Sequence, residues 1–356
     1  MAAEVAQAVT RTVPAATRDA IRDEMRRDPS VVCWGEDITG GAGSEVLSER
    51  EDAWPGVMPA YAGLAAEFGP ERVRDMPIAE AGFIGMAVGA AMGGMRPVVD
   101  LMFIDFLTVC LDQIANQAAK NPYMFGGQVT NPVVIRTAFG AGRQFAGQHS
   151  GAHYSIFAHY AGVKVVAPST PYDAKGLMTA AIRDDNVVVF CENRNLATVK
   201  DEIPDRPYTV PIGKAALLRD GDDVALIAAS RMVHVAREAA ERLAEAGVQA
   251  ALLDLRTLAP LDVESIVSVV AKTGRVVIID EDGPRCSISA DVAAVCVEHA
   301  FEHLEAPVAR VTPPHVPIPF SPPLEASYLP DADRVVAAVH GLLDKNRSSK
   351  KALYEH

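Results

Sequence analysis

The sequence is short of cysteine, of basic charge and of the glycine fingerprints that hold nucleotides. Its five cysteines, Cys33, Cys110, Cys191, Cys286 and Cys296, form no C-x-x-C pair. They give no disulfide framework and read as reduced, buried thiols of a cytoplasmic protein. Lys and Arg total 33 against 46 Asp and Glu, a net charge of −13. That balance excludes a general affinity for nucleic acid or anionic membrane, both of which need a basic surface. The opening MAAEVAQAVTRTV has no apolar stretch of the secretory kind. The nearest thing to a membrane-length run, Met76–Met95, carries one charge, Glu80, but it is rich in Gly and Ala and interrupted by Pro77 and Gly93-Gly94. It reads as a closely packed core helix. The loop GAGRQFAGQHSGAH, residues 140–153, has four glycines yet fits neither G-x-x-x-x-G-K-[ST] nor G-x-G-x-x-G.

Against those shortages, 49% of the 356 residues are apolar and 22% charged. That is enough apolar material to exclude disorder as the main state, at a length that suggests about two domains. The spacing predicts a helix over 14–27, a short strand over 31–37 and a long loop over 38–60. The Gly/Ala helix follows, then a strand over 96–104, a helix over 106–121 and a strand over 131–139. A strand over 163–170 feeds a helix capped by Thr170, with Pro171 and Asp173 in its first turn. Another strand covers 187–191. Residues 193–213 are polar, carry three prolines and read as an interdomain linker. Beyond them strand and helix alternate, which implies a parallel sheet with right-handed crossovers. The expected fold is α/β, with two parallel-sheet domains over 12–192 and 214–340 and a flexible tail over 341–356.

Glu80 stands alone in apolar surroundings. Two readings are open: a carboxylate steadied by a helix N-terminus, or a carboxyl that shares a proton with a ligand. Here the string RVRDMPIAEAGFIGMAVGAAMGGMRPVVDLMFIDF resembles the β subunit of the thiamine-diphosphate-dependent E1 component of 2-oxo acid dehydrogenase complexes. The likeness continues through PVVIRTAFGAGR, GQHS, FAH, GVKVVAPSTPYDAKGLMTAAIRDD and KTGRVVIIDED, from about residue 12 to 330. It implies a transketolase-like pyrimidine-binding domain followed by a transketolase C-terminal-like domain. It also implies that Glu80 bonds the aminopyrimidine of thiamine diphosphate and so activates the cofactor as a nucleophile. Phe106, with Met102 beside it, would pack on the pyrimidine ring, although an aromatic in an apolar run is ordinarily core. Glu36, in WGED, matches an acidic position in a proton-relay path, or is a solvated turn residue.

His149, in GQHS, matches the family's loop histidine, which faces the reacting end of the cofactor and exchanges protons during acyl transfer. Metal binding by His149, His153 and His159 is disfavoured, because the first lies in a Gly-rich loop. His159 is expected to pack near that loop. The family usually continues Q-H-S-Q, whereas Gly151-Ala152-His153-Tyr154 follows here, so substrate preference stays open. Val133, Ala181, Ile182, Asp184 and Asn186 resemble a structural potassium site, or form a plain solvated helix end. No G-D-G motif for Mg²⁺ and diphosphate is present; the nearest string is Glu281-Asp282-Gly283. The resemblance therefore implies an α subunit that holds Mg²⁺, an α2β2 heterotetramer and acyl transfer to lipoyl-E2. Gly85, Gly89 and Gly93 would permit a close helix contact in that assembly. The implied substrate is acetoin or pyruvate, with branched-chain 2-oxo acids next. A split transketolase-like enzyme acting without E2 and a non-catalytic assembly subunit are the remaining readings.

Overall fold

The computed structural model describes residues 8–40 and 59–344. Most of the loop expected over 38–60, and the tail beyond 344, lie outside the described residues. The chain divides into two compact units. The first runs through Lys214 and adds Arg256–Leu261 and Pro317–Ala326; the second comprises Ala215–Leu255, Asp262–Val316 and the chain from Ser327.

In chain order the described strands are β1 (Ala8–Thr12), β2 (Val31–Gly35), β3 (Val73–Asp75), β4 (Arg96–Phe103), β5 (Val134–Phe139), β6 (Lys164–Val166) and β7 (Val188–Asn193). Then come β8 (Lys200–Pro204), β9 (Ala216–Arg219), β10 (Val224–Ala228), β11 (Ala250–Asp254), β12 (Thr257–Ala259), β13 (Val276–Ile279) and β14 (Ala309–Val311). The first unit holds a seven-stranded sheet in the order β12-β6-β7-β5-β4-β2-β3. Its strands are parallel except for the edge strand β12, which pairs antiparallel with β6. All residues of β2, β5 and β7 are buried, as central parallel strands covered on both faces require.

The helix Val13–Arg27 starts with Pro14 in its first turn and Thr12 accepting the Ala15 N–H. Its buried Glu24 takes the Arg183 guanidinium at 2.6 and 3.0 Å. The helix Pro171–Arg183 begins as expected, with Thr170 accepting the Asp173 N–H at 3.1 Å. The helix expected over 106–121 is irregular. It opens with a 3₁₀ turn at Ile104–Phe106, continues as Leu107–Asp112 and widens into a π turn at Gln113–Ala118.

The segment 193–213 forms part of the first unit. β8 pairs antiparallel with β1, and the buried Val210 donates its N–H to the Gly176 carbonyl. The second unit has a five-stranded sheet, β14-β13-β10-β11-β9, parallel except for β9. Two of its helices begin on carboxylates: Asp262 accepts from Ser265 N–H and Asp331 from Arg334 N–H. No described helix is long and apolar enough to cross a membrane; the Gly/Ala helix is Glu80–Met92, 13 residues.

Candidate active site

The chemistry-bearing residues follow the carboxyl ends of the parallel strands, where open α/β sheets bind ligands. Glu36 follows β2, Glu80 opens the helix after β3, Phe106 follows β4, the 140–153 loop follows β5, and Arg194 follows β7. Two strands approach closely under the site. A Cβ on Gly35 would lie 2.7 Å from the Asp100 Cβ, so only glycine fits there. Asp100, Arg136 and Glu192 form a buried ion-pair line across β4, β5 and β7, at 2.7 and 2.6 Å. Burial opposes the Arg136 charge, but Glu192 and Asp100 hold it firmly protonated. Asp100 also accepts the Met102 N–H at 2.7 Å. Met102 is buried and adopts a left-handed backbone, φ 61°, within the register shift where β4 leaves β5.

Glu80 is the first residue of its helix, is 7% exposed, and has no hydrogen-bond donor to its carboxylate among the described residues. A largely buried carboxyl with no donor among the described residues is open to a ligand that supplies one. Burial first, and then the Glu80 charge, push the Cys110 thiol up to about 12. The Cys110 Sγ lies 3.7 Å from the carbonyl oxygens of Phe106 and Leu107. The Glu80 charge thus reaches Cys110 in the wall that carries Phe106. Glu36 also feels the Glu80 charge: its pKa is raised by burial first and then by Asp37, Glu80 and Asp100.

In front of that wall is an open cleft of about 530 Å³, lined by the 105–109 segment, the 147–149 segment, His153 and Ile156. The His149 ring packs edge-on against Phe106 and Phe103, with centroids 5.5 and 5.0 Å apart. Its loop is clamped from three sides. Arg194 donates to the carbonyls of Gly140 and His149, at 2.6 and 2.5 Å, with its guanidinium over Phe145 and Phe103. Asn195 donates to the Ala141 carbonyl, and buried Glu325 accepts the Gly142 and Gln144 N–H groups. Asp105 accepts the Gly151 N–H.

The expected residues separate into two places. Glu36, Glu80, Met102, Phe106 and His149 gather at the carboxyl ends of the strands. Val133, Ala181, Ile182, Asp184 and Asn186 lie at the opposite end of the sheet, where the oxygens of all but Asn186 accept hydrogen bonds. Arg96 takes the Ile182 and Asp184 carbonyls, Lys164 pairs with the Asp184 carboxylate, and the Val133 carbonyl accepts from Val188. His159 is exposed and packs edge-on against Tyr160. Gly85 packs against Gln113, whereas nothing lies within 4 Å of a Cβ at Gly89, which is exposed. Asp105, Arg194 and Glu325 were not anticipated from sequence. Among the described residues no His, Cys, Asp and Glu cluster suits a metal ion.

The transketolase pyrimidine-binding domain family matches residues 10–200, and the transketolase C-terminal domain family matches 213–335. The acetoin:2,6-dichlorophenolindophenol oxidoreductase β subunit of Cupriavidus necator is 49% identical over 92% of this chain and 96% of its own. The pyruvate dehydrogenase E1 component β subunit of Rickettsia bellii is 41% identical over 92% of this chain and 97% of its own. The chain belongs to the E1 β-subunit family. A solved structure described as a split-gene transketolase, inactive β4 tetramer, has a TM-score of 0.75 at 24% identity, over 93% of this chain and 98% of that one; it shows the fold alone. Membership of this thiamine-diphosphate-dependent family gives the Glu80–Phe106–His149 arrangement its setting. The largely buried Glu80 carboxyl, which has no donor among the described residues, and the half-buried Phe106 ring would suit an aminopyrimidine.

Proposed function

We propose that the chain, paired with an α subunit in an α2β2 assembly, forms an E1 enzyme that cleaves acetoin or decarboxylates pyruvate and passes the acyl unit to lipoyl-E2. The reaction would take place in the cytoplasm. The observation that carries this reading is the Glu80 carboxyl, 7% exposed with no donor among the described residues, whose charge reaches Cys110 in the wall of the His149 cleft. The 49% identity to an acetoin enzyme's β subunit supports the acetoin side. Residues 12–192 would serve the cofactor and 214–340 the assembly.

Bound thiamine diphosphate supplies a nucleophilic carbon and an electron sink. Glu80 would hold the aminopyrimidine and exchange a proton with it, while Met102 and Phe106 fix the ring's plane. His149 would donate or accept protons at the reacting end, with Arg194 and Glu325 keeping its loop in place. Glu36, within reach of the Glu80 charge, would relay a proton. Mg²⁺ and the diphosphate belong to the α subunit. A potassium ion at the 181–186 helix end would share it with Arg96 and Lys164, which already bring positive charge there.

The test is reconstitution with an α subunit, cofactor, Mg²⁺ and lipoyl-E2 or a dye acceptor. Acetoin- or pyruvate-dependent reduction is expected, and Glu80→Gln is expected to lower kcat by about 10²-fold or more. Undiminished turnover in Glu80→Gln overturns the catalytic reading. Turnover that requires no acceptor replaces it with a transketolase-like one.

A further inference from the structure

The Gly151–Tyr154 stretch, where the sequence leaves the family pattern, is a built feature of the cleft. A Cβ on Gly151 would lie 2.4 Å from His153 Nε2, 2.5 Å from its Cδ2 and 2.7 Å from Asp105 Oδ1. No side chain fits at 151 while the imidazole stays where it is. Glycine there admits the His153 ring against Asp105, with Nε2 3.7 Å from Oδ1. Asp105 is fixed in turn, because both its oxygens lie 3.2 Å from the Gly151 N–H. Its side chain is 10% exposed, whereas that of His153 is 45% exposed on the cleft. Among the described residues the lining holds one carboxylate, two imidazoles and no Lys or Arg. A carboxylate substrate therefore finds no cation on this wall, whereas a neutral oxygen-rich one finds two hydrogen-bonding rings.

We propose that His153, oriented by Asp105, is the base that takes the carbinol proton when an α-hydroxyketone is cleaved. The inference rests on the acetoin side of the function proposed above. The bond between the two oxygen-bearing carbons breaks, and its electron pair stays with the former ketone carbon, where this family's cofactor provides the sink. The carbinol O–H also breaks: its proton goes to the imidazole, and its oxygen becomes the carbonyl of the departing aldehyde. Loss of CO2 from a 2-oxo acid releases no such proton, so a second imidazole answers a need that only the acyloin has. With Nε2–H directed at Asp105, Nδ1 is the nitrogen that accepts. The 3.7 Å separation is one that closes when substrate fills the cleft, since catalytic hydrogen bonds are commonly long before binding.

The test uses the reconstituted α/β complex with His153→Gln and Asp105→Asn. For acetoin, kcat is expected to fall about 100-fold in His153→Gln and about 10-fold in Asp105→Asn, with KM changed by less than about threefold. The thermal midpoint and the substrate-free exchange of the cofactor's reactive C–H in deuterium oxide report a damaged site and are expected to move little, because Glu80 serves that exchange. Undiminished acetoin turnover in His153→Gln overturns this inference alone. An equal fall in turnover and exchange also overturns it, because the residue is then structural. A wild-type complex that turns over 2-oxo acids but not acetoin overturns the acetoin reading and this inference with it.

Discussion

Glu36 shows how one residue can be tuned at a cost to stability. Its carboxyl is raised above the ordinary value of 4.5, by burial first and then by the charges of Asp37, Glu80 and Asp100. In the unfolded chain the burial is lost and Glu80 and Asp100 disperse, so the folded state binds the proton more tightly. Stability from this group is present below the ordinary pKa and is lost as pH rises through the raised one. Glu36→Gln is therefore expected to melt above wild type near neutral pH and level with it below 4.5. Melts followed by circular dichroism across that range check this, and a pH-independent difference rules it out. The same variant is expected to slow turnover in the complex, a trade between stability and activity. Glu36, Glu80, Phe106 and His149 were legible in the sequence because each is an odd residue for its setting or sits in a family string. Asp105, Arg194 and Glu325 were not. They act on backbone N–H groups and carbonyls, and Glu325 reaches Gly142 across 183 residues; no local pattern announces such a bond.

At the scale of elements, the site depends on how closely strands approach. Gly35 ends β2 against Asp100 of β4, where an added Cβ would lie 2.7 Å from Cβ and 2.9 Å from the backbone oxygen. Gly35→Ala is expected to push the strands apart at a cost of about 1–3 kcal/mol, read by urea denaturation. Gly89 makes the contrast. It sits in a helix with nothing within 4 Å of a Cβ. Gly89→Ala is expected to stabilise the chain by up to about 1 kcal/mol. Equal effects of opposite expectation, or a stabilising Gly35→Ala, would show that β2 and β4 have slack the geometry denies. The strands and capped helices were legible because apolar runs and Thr, Pro and Asp signals are local. The π turn at Gln113–Ala118 and the edge strand β12 were not. The first departs from a periodicity that still reads as helical. The second pairs with β6 about 90 residues back in the chain, and pairing at that distance leaves no trace in either segment.

At the scale of the whole molecule, the cofactor reading divides labour between chains. On the proposed reading this one would offer a carboxyl, a ring and a loop histidine to the pyrimidine and reacting ends, but its sequence carries no G-D-G for Mg²⁺ and diphosphate. Its net charge of −13 makes it a poor surface for a diphosphate to find unaided. A ligand stabilises only what it binds, by RT ln(1 + [L]/Kd), or about 2.7 kcal/mol at 100 Kd. Thiamine diphosphate with Mg²⁺ is therefore expected to leave the melting temperature of the isolated chain unchanged and to raise that of the α/β complex. Calorimetric melts with and without each component separate the two cases. A rise in the isolated chain would mean that its own residues hold the diphosphate, and the division of the site between two chains would have to be abandoned. A rise in the complex that survives Glu80→Gln would mean that the pyrimidine contact contributes little to binding. The largely buried carboxyl would then act in proton exchange alone, which its position at the helix start, with no donor among the described residues, already permits.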